Sequence, residues 1–249
     1  MSHFCEKARW ALDHTSLPYR EEPHLPVFQI MAAKRAGGGR TVPVLIHEGR
    51  VLDDSTAILK HADAWARDHG GKRLYPDDPE TRREVEATEE LCDEVLGPHV
   101  RRVVYFYLLG NKPLLLELVG DAGPRTESLC FRGLFPLFRL LMKKALRIDR
   151  RGYERSLLKL REVFDAIDKA LADGRRYLGG EELGAADITF AALAAPILLP
   201  PEYFVPLPEL TAVPDEFAAL IRELQARPAG AFGLRVYRDE RRLAGEAVG

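Results

Sequence analysis

Pro43 constrains this chain more than any other residue. It stands in the apolar run Thr41-Val42-Pro43-Val44-Leu45, behind Gly37-Gly38-Gly39 and ahead of a turn signal at Glu48-Gly49. A proline lacks the N–H that an interior strand must donate, so it belongs at a strand's start or on a free edge. Its ring also holds the preceding residue extended. That leaves the Val42 N–H and C=O open to pairing with an extended ligand. A helix start follows at Asp54-Ser55. A free backbone edge beside a helix N-terminus suits a short anionic peptide, because the unpaired N–H groups of the first turn attract negative charge.

The bulk properties narrow the class. A chain of 249 residues, 46% of them hydrophobic, builds one large or two small domains with a sizeable core. Lys and Arg number 36 against 38 Asp and Glu, a net charge of −2, so nothing marks a nucleic-acid binder. The three cysteines, Cys5, Cys92 and Cys130, are too few and scattered for a disulfide framework, which points to a reducing cytoplasm. Charges at Glu6 and Lys7 stand where a secretory signal would need an apolar stretch. The longest apolar run, Ile188 to Pro200, is too short to span a bilayer.

Along the chain, helical and strand signals alternate and then give way to helices. Phe4, Ala8, Ala11 and Leu12 recur at helical spacing, Trp10 widens that face, and Leu17-Pro18 ends it. Tyr19 to Glu22 reads as a short strand, and His24 to Arg40 as irregular or weakly helical. Val42 to His47 and Arg50 to Leu52 read as a hairpin around Glu48-Gly49. Ser55 opens a helix through Ile58, Leu59 and Ala62. The acidic, proline-bearing stretch from Leu74 to Glu80 reads as a linker. Beyond it come one helix from Thr81 to about Leu109, a second marked by Leu157, Leu160, Phe164, Ile167 and Leu171, and a third marked by Phe217, Leu220, Ile221 and Leu224. In Leu183-Gly184-Ala185-Ala186-Asp187-Ile188, Gly184 is placed as an N-cap. Asp187 then falls at the third helical position, with Leu183 and Ile188 as a hydrophobic staple.

Together these segments resemble the cytosolic-type glutathione transferases, with a bacterial-like, serine-type N-terminal motif. The resemblance rests on Ser2-His3-Phe4-Cys5-Glu6-Lys7-Ala8-Arg9-Trp10, on Thr41 to Leu45, on Asp54-Ser55-Thr56-Ala57-Ile58-Leu59, on the Gly184-to-Asp187 box and on Ala226-Arg227-Pro228. It implies an α/β thioredoxin-like N-terminal domain over 1–72, a linker over 73–80 and an all-helical domain over 81–249. It also implies a cis Val42–Pro43 bond and a homodimer. In the family a first β-strand precedes the Ser-x-x-Cys turn; here Met1 directly precedes Ser2, so that strand is expected to be missing and Ser2 to be mobile.

The resemblance carries over to individual residues. Ser2 would donate a hydroxyl to the glutathione thiolate, and a nearby helix N-terminus would further favour the anion. Val42, ahead of Pro43, would pair with the cysteinyl backbone. Ser55 would receive the γ-glutamyl carboxylate and Asp54 the amino group. Each has a plainer role available: Ser2, Asp54 and Ser55 as helix caps, Val42 as a hairpin edge. Arg40 is displaced by one position from the family's basic residue, which Thr41 replaces, and is expected in solvent. Cys5 is expected to be a small buried residue. Tyr105, Phe106 and Tyr107 either line a second pocket or pack in the core, and core packing is expected.

Phe131, Leu134, Phe135, Phe138, Leu141 and Met142 form an apolar stripe flanked by Arg132, Arg139, Lys143, Lys144 and Arg147. Such a basic amphipathic helix can lie on a membrane, but Pro136 interrupts it, and packing without membrane contact is expected. The seven histidines form no metal motif, so no metal is expected. Gly70-Gly71-Lys72 lacks the hydroxyl residue of a phosphate loop. The expected activity is conjugation of glutathione, the co-substrate, to a small apolar electrophile. The alternatives are a non-catalytic binding protein of the same fold and a thiol reductase acting through Cys5.

Overall fold

The computed structural model describes residues 2–120 and 123–241. Helix α1 (His3–Thr15) is followed by α2 (Phe28–Arg35), the hairpin β1 (Leu45–His47) and β2 (Arg50–Leu52), and α3 (Ser55–His69). The two strands pair antiparallel, Leu45 with Leu52, Ile46 with Val51 and His47 with Arg50. The turn residues Glu48 and Gly49 both have positive φ, 49° and 76°, as a two-residue turn matched to strand twist requires. The hairpin is shorter than its sequence suggests. Val42 to Val44 lie outside the ladder, because Pro43 has no N–H to contribute. Among the described residues, Tyr19 to Glu22 form no strand; their backbone groups find no ladder partner. The stretch read as weakly helical contains a true helix, α2, and its glycine run closes tightly on the hairpin. A Cβ on Gly38 would come within 2.8 Å of the Val44 side chain.

The named elements after α3 are all helical: α4 (Pro79–Leu91), a π-helical segment (Cys92–Leu96), α5 (Gly97–Leu108), α6 (Lys112–Gly120), α7 (Arg125–Ala145), α8 (Arg150–Ala170), α9 (Ala185–Leu198), α10 (Asp215–Gln225) and α11 (Pro228–Glu240). The single helix expected from Thr81 to Leu109 therefore changes pitch in its middle. Pro98 cannot donate to a preceding carbonyl, and the Gly97 N–H reaches back five residues to Cys92 O. The linker is not loose: Leu74 and Tyr75 are each 1% exposed. Asp63 holds them by accepting the Leu74 N–H at 2.8 Å and the Tyr75 N–H at 3.2 Å.

α9 is apolar on every face and sits at the centre, against α1, α4, α5, α10 and α11. Helix α1 packs between α3 and α9, with Trp10 against Tyr237 at 4.7 Å between ring centroids. Both halves of the chain thus grip α1, and so fix where its N-terminus points. Pro136 does not break α7, which runs through it.

Candidate active site

A cleft of about 570 Å³ opens at the N-terminus of α1. Ser2, Cys5 and Arg9 line one side, Val42, Pro43 and Val44 another, and Ala8, Leu12 and Ile58 contribute apolar surface. The extended segment from Pro18 to His24, together with Phe204, completes it.

Ser2 is the N-cap of α1, with extended backbone and no side-chain capping bond. Its carbonyl takes the Cys5 and Glu6 N–H groups at 2.9 and 3.1 Å. The next residue holds this end in place. His3 is buried and its Nε2 donates to Gly97 O at 3.1 Å, and burial pulls its pKa down to about 3, so the ring stays neutral. Cys5 is half-buried, and burial raises its thiol pKa against a smaller lowering by the Ser2 hydroxyl. A thiol in that state is a poor nucleophile at neutral pH.

Across the cleft the Val42–Pro43 peptide is cis. Among the described residues, neither the N–H nor the C=O of Val42 has a hydrogen-bond partner. Asp53 Oδ2 accepts the Gly39 N–H at 3.0 Å, tying the glycine run to the far side of the hairpin.

Ser2, Val42 and Pro43 share this cleft; Asp54 and Ser55 do not line it. Asp54 caps α3 and accepts the Ala57 N–H at 2.9 Å. Ser55 is buried at the first position of that helix. Arg40 is exposed. Of the three aromatics, Tyr107 is core. It stacks on Phe217 at 4.5 Å, and its hydroxyl shares a 2.8 Å hydrogen bond with Tyr153.

Sequence reasoning missed Arg9 and Glu21. The Arg9 guanidinium faces the cleft over the Phe204 ring at 3.8 Å, and it is held by Glu6 at 2.7 Å and by both carboxylate oxygens of Glu21. Its position one turn beyond Cys5 on α1 was the available signal. Arg9 is therefore charge-paired rather than a free anion receptor. Among the described residues no group of three or more His, Cys, Asp or Glu is arranged to hold a metal.

A family model for the glutathione S-transferase N-terminal domain matches residues 1–69, and one for the C-terminal domain matches residues 151–231, together more than half of the chain. This chain belongs to the glutathione S-transferase family. Its architecture is that family's, a thioredoxin-like N-terminal domain followed by a helical C-terminal domain. Among solved structures it is similar to the β-etherase LigF from Sphingobium sp. strain SYK-6, with 19% identity, a TM-score of 0.57, and 94% of this chain and 95% of that chain covered. It is similar also to glutathione transferase F2 from Populus trichocarpa, with 15% identity, a TM-score of 0.55 and 95% of each chain covered. The Tau class glutathione S-transferase from mango, Mangifera indica, is a third, with 18% identity, a TM-score of 0.51, and 94% of this chain and 88% of that chain covered. At these identities the likeness is one of fold. No curated protein matches the chain.

Proposed function

We propose that the cleft binds glutathione and presents its thiol to Ser2 for transfer to a small apolar electrophile. The observation that carries this is the cleft's lining: a Ser2 hydroxyl that makes no capping bond to its own helix shares one cavity with the unpaired backbone of Val42. The tripeptide's cysteinyl backbone pairs with Val42 as a short added strand. Its thiol then lies at the N-terminus of α1, where the helix dipole and the Ser2 hydroxyl favour the thiolate. The thiol proton goes to water. The thiolate forms the new carbon–sulfur bond, and the electrophile either loses its leaving group or takes the charge and is then protonated. The apolar floor supplies proximity rather than chemistry. The protein acts as a cytoplasmic homodimer, as is usual in the family.

Ser2→Ala separates the chemical role from binding. Conjugation of chlorodinitrobenzene should slow by about two orders of magnitude, the usual cost of losing one donor to a developing anion. The glutathione affinity, measured by calorimetry, should stay within a few-fold of wild type. Equal losses in both would remove Ser2 from catalysis.

Asp54 and Ser55 are proposed to hold the γ-glutamyl end through the unpaired N–H groups at the start of α3. Replacing both by alanine should abolish retention on immobilised glutathione, and unchanged retention would refute their role. That these two residues do not line the cleft favours a second reading, a non-catalytic binding or interaction protein of the same fold. Tight calorimetric binding with no conjugation of any electrophile would select it. A reductase acting through Cys5 is disfavoured by the raised thiol pKa.

A further inference from the structure

Helix α7 lies in the stretch that neither family model matches. At about 100° per residue its side chains divide into three arcs. Phe131, Phe135 and Phe138 form the inward arc, each 3% exposed. Leu129, Leu137 and Leu140 form the outward arc, 75%, 53% and 64% exposed. Arg125, Arg132, Arg139 and Lys143 share one flank of that leucine face, and all four are exposed. None of the four has an ion-pair partner among the described residues. The one acid of α7, Glu127, is turned inward, with His24 Nδ1 at 2.7 Å and the Leu25 N–H at 2.8 Å. The leucine face continues across an apolar groove to Val27, 45% exposed, with Met31 nearby in sequence at 49%.

An exposed apolar strip edged by unpaired cations has two requirements, and together they select the occupant. A second copy would cover the leucines but add a second row of like charge. A neutral apolar ligand would leave the cations unbalanced. An anionic bilayer meets both needs: leucines enter the acyl boundary while Arg and Lys reach the phosphates. We propose that α7 docks this protein on an anionic membrane surface. No helix among the described residues is long and apolar enough to cross a membrane, so the attachment is peripheral. The expectation of no membrane contact rested on Pro136 interrupting the stripe and on packing; α7 runs through Pro136, and of the stripe only the three phenylalanines are buried.

Co-sedimentation of the full chain with phosphatidylcholine vesicles, with and without about one-third phosphatidylglycerol, tests this. The protein should bind the anionic vesicles about tenfold better than the neutral ones and lose most of that preference at high salt. Leu137→Glu with Leu140→Glu, and separately Arg132→Glu with Arg139→Glu, should each lower partitioning about tenfold. Both pairs are exposed, so circular dichroism and melting temperature should match wild type. Wild-type protein left in the supernatant with both vesicle types overturns the proposal, and so does equal binding to both. A concentration-dependent dimer broken by Leu137→Glu would also overturn it, by assigning the face to a second copy.

Discussion

Lys7→Met should destabilise the protein by about 3–5 kcal/mol, the usual result of removing one partner from a buried ion cluster. Lys7 is fully buried on α1, with Nζ 2.8 Å from Glu89 and 2.6 Å from Asp93. Thr56 on α3 also touches it, at 3.2 Å. The Thr56 hydroxyl lies 2.9 Å from both carboxylates but has one proton, so it can donate to only one of them at a time. Tyr75 Oη donates to the other oxygen of Glu89 at 2.7 Å. Among the described residues, Asp93 Oδ1 has no hydrogen-bond partner. Without the ammonium, the buried Glu89 carboxylate and the partly buried Asp93 carboxylate would face each other with one hydroxyl proton between them. The cluster joins α1, α3 and the α4–α5 helix, so its loss also loosens the element that carries Ser2. For a chain of this size the melting temperature should fall by roughly 10 °C.

The pH dependence gives this prediction a second readout. Burial already raises the Asp93 carboxyl above the usual range, opposed chiefly by Lys7. Removing Lys7 lifts it further. A carboxyl with a raised folded-state pKa takes up a proton in the native state before it does so unfolded, so acid favours the native form. The deficit of Lys7→Met relative to wild type should therefore be largest at neutral pH and shrink toward pH ~5. Melting curves at both ends of that range would show it. A deficit that grew in acid would mean the carboxylates are not the source of the cost.

Local chemistry made part of this molecule legible from its sequence. The end of α1, the start of α3, the hairpin turn and the Gly184 cap each depend on residues within a few positions of one another, and each forms where the pattern puts it. The Lys7 cluster was not legible, because its partners lie between 49 and 86 residues away and nothing in a local window distinguishes that lysine from a solvated one. Tyr19 to Glu22 has strand-like composition, but a strand also requires a neighbour with free backbone groups in register, and composition does not supply one. α7 shows a third limit. Periodicity reveals that a helix is amphipathic, yet this one has two apolar arcs. The chain that packs against α7, which includes α6 and the loop at His24 and Leu25, decides which arc is covered, and periodicity does not supply it.

The site divides the same way. Ser2 and Val42 could be named because a helix cap and a pre-proline edge are local features. Arg9's place one turn beyond Cys5 was legible, but its pairing with Glu21 was not, since that depends on how the chain returns after α1. Leu74 and Tyr75 look like linker by composition, but Asp63 and the cap of α9 draw them inside.

That cap sets the second large effect. Asp187→Ala should cost about 2–5 kcal/mol, because it strands two hydrogen-bond donors with little access to water. Asp187 is fully buried; its Oδ1 accepts the Leu178 N–H at 2.7 Å and its Oδ2 the Gly184 N–H at 2.8 Å. The adjoining Ala185 N–H donates to Leu74 O at 2.8 Å, and a Cβ on Gly184 would sit 2.8 Å from that same oxygen. The cap therefore holds both the central helix and the segment between α3 and α4. Asparagine cannot replace the aspartate fully, since its amide would meet one N–H with another donor.

Burial pushes the Asp187 pKa up to about 7, against the lowering by its two N–H partners. An unfolded aspartate titrates near ~4, so between these values the native state holds a proton that the unfolded chain does not. Wild-type stability should accordingly decline as pH rises from about 4 to about 7, with no further contribution from this group above that. In Asp187→Asn this component of the slope should vanish while the overall stability drops. Urea midpoints measured across that window test both statements, and an unchanged slope in Asp187→Asn would assign the pH dependence to other groups.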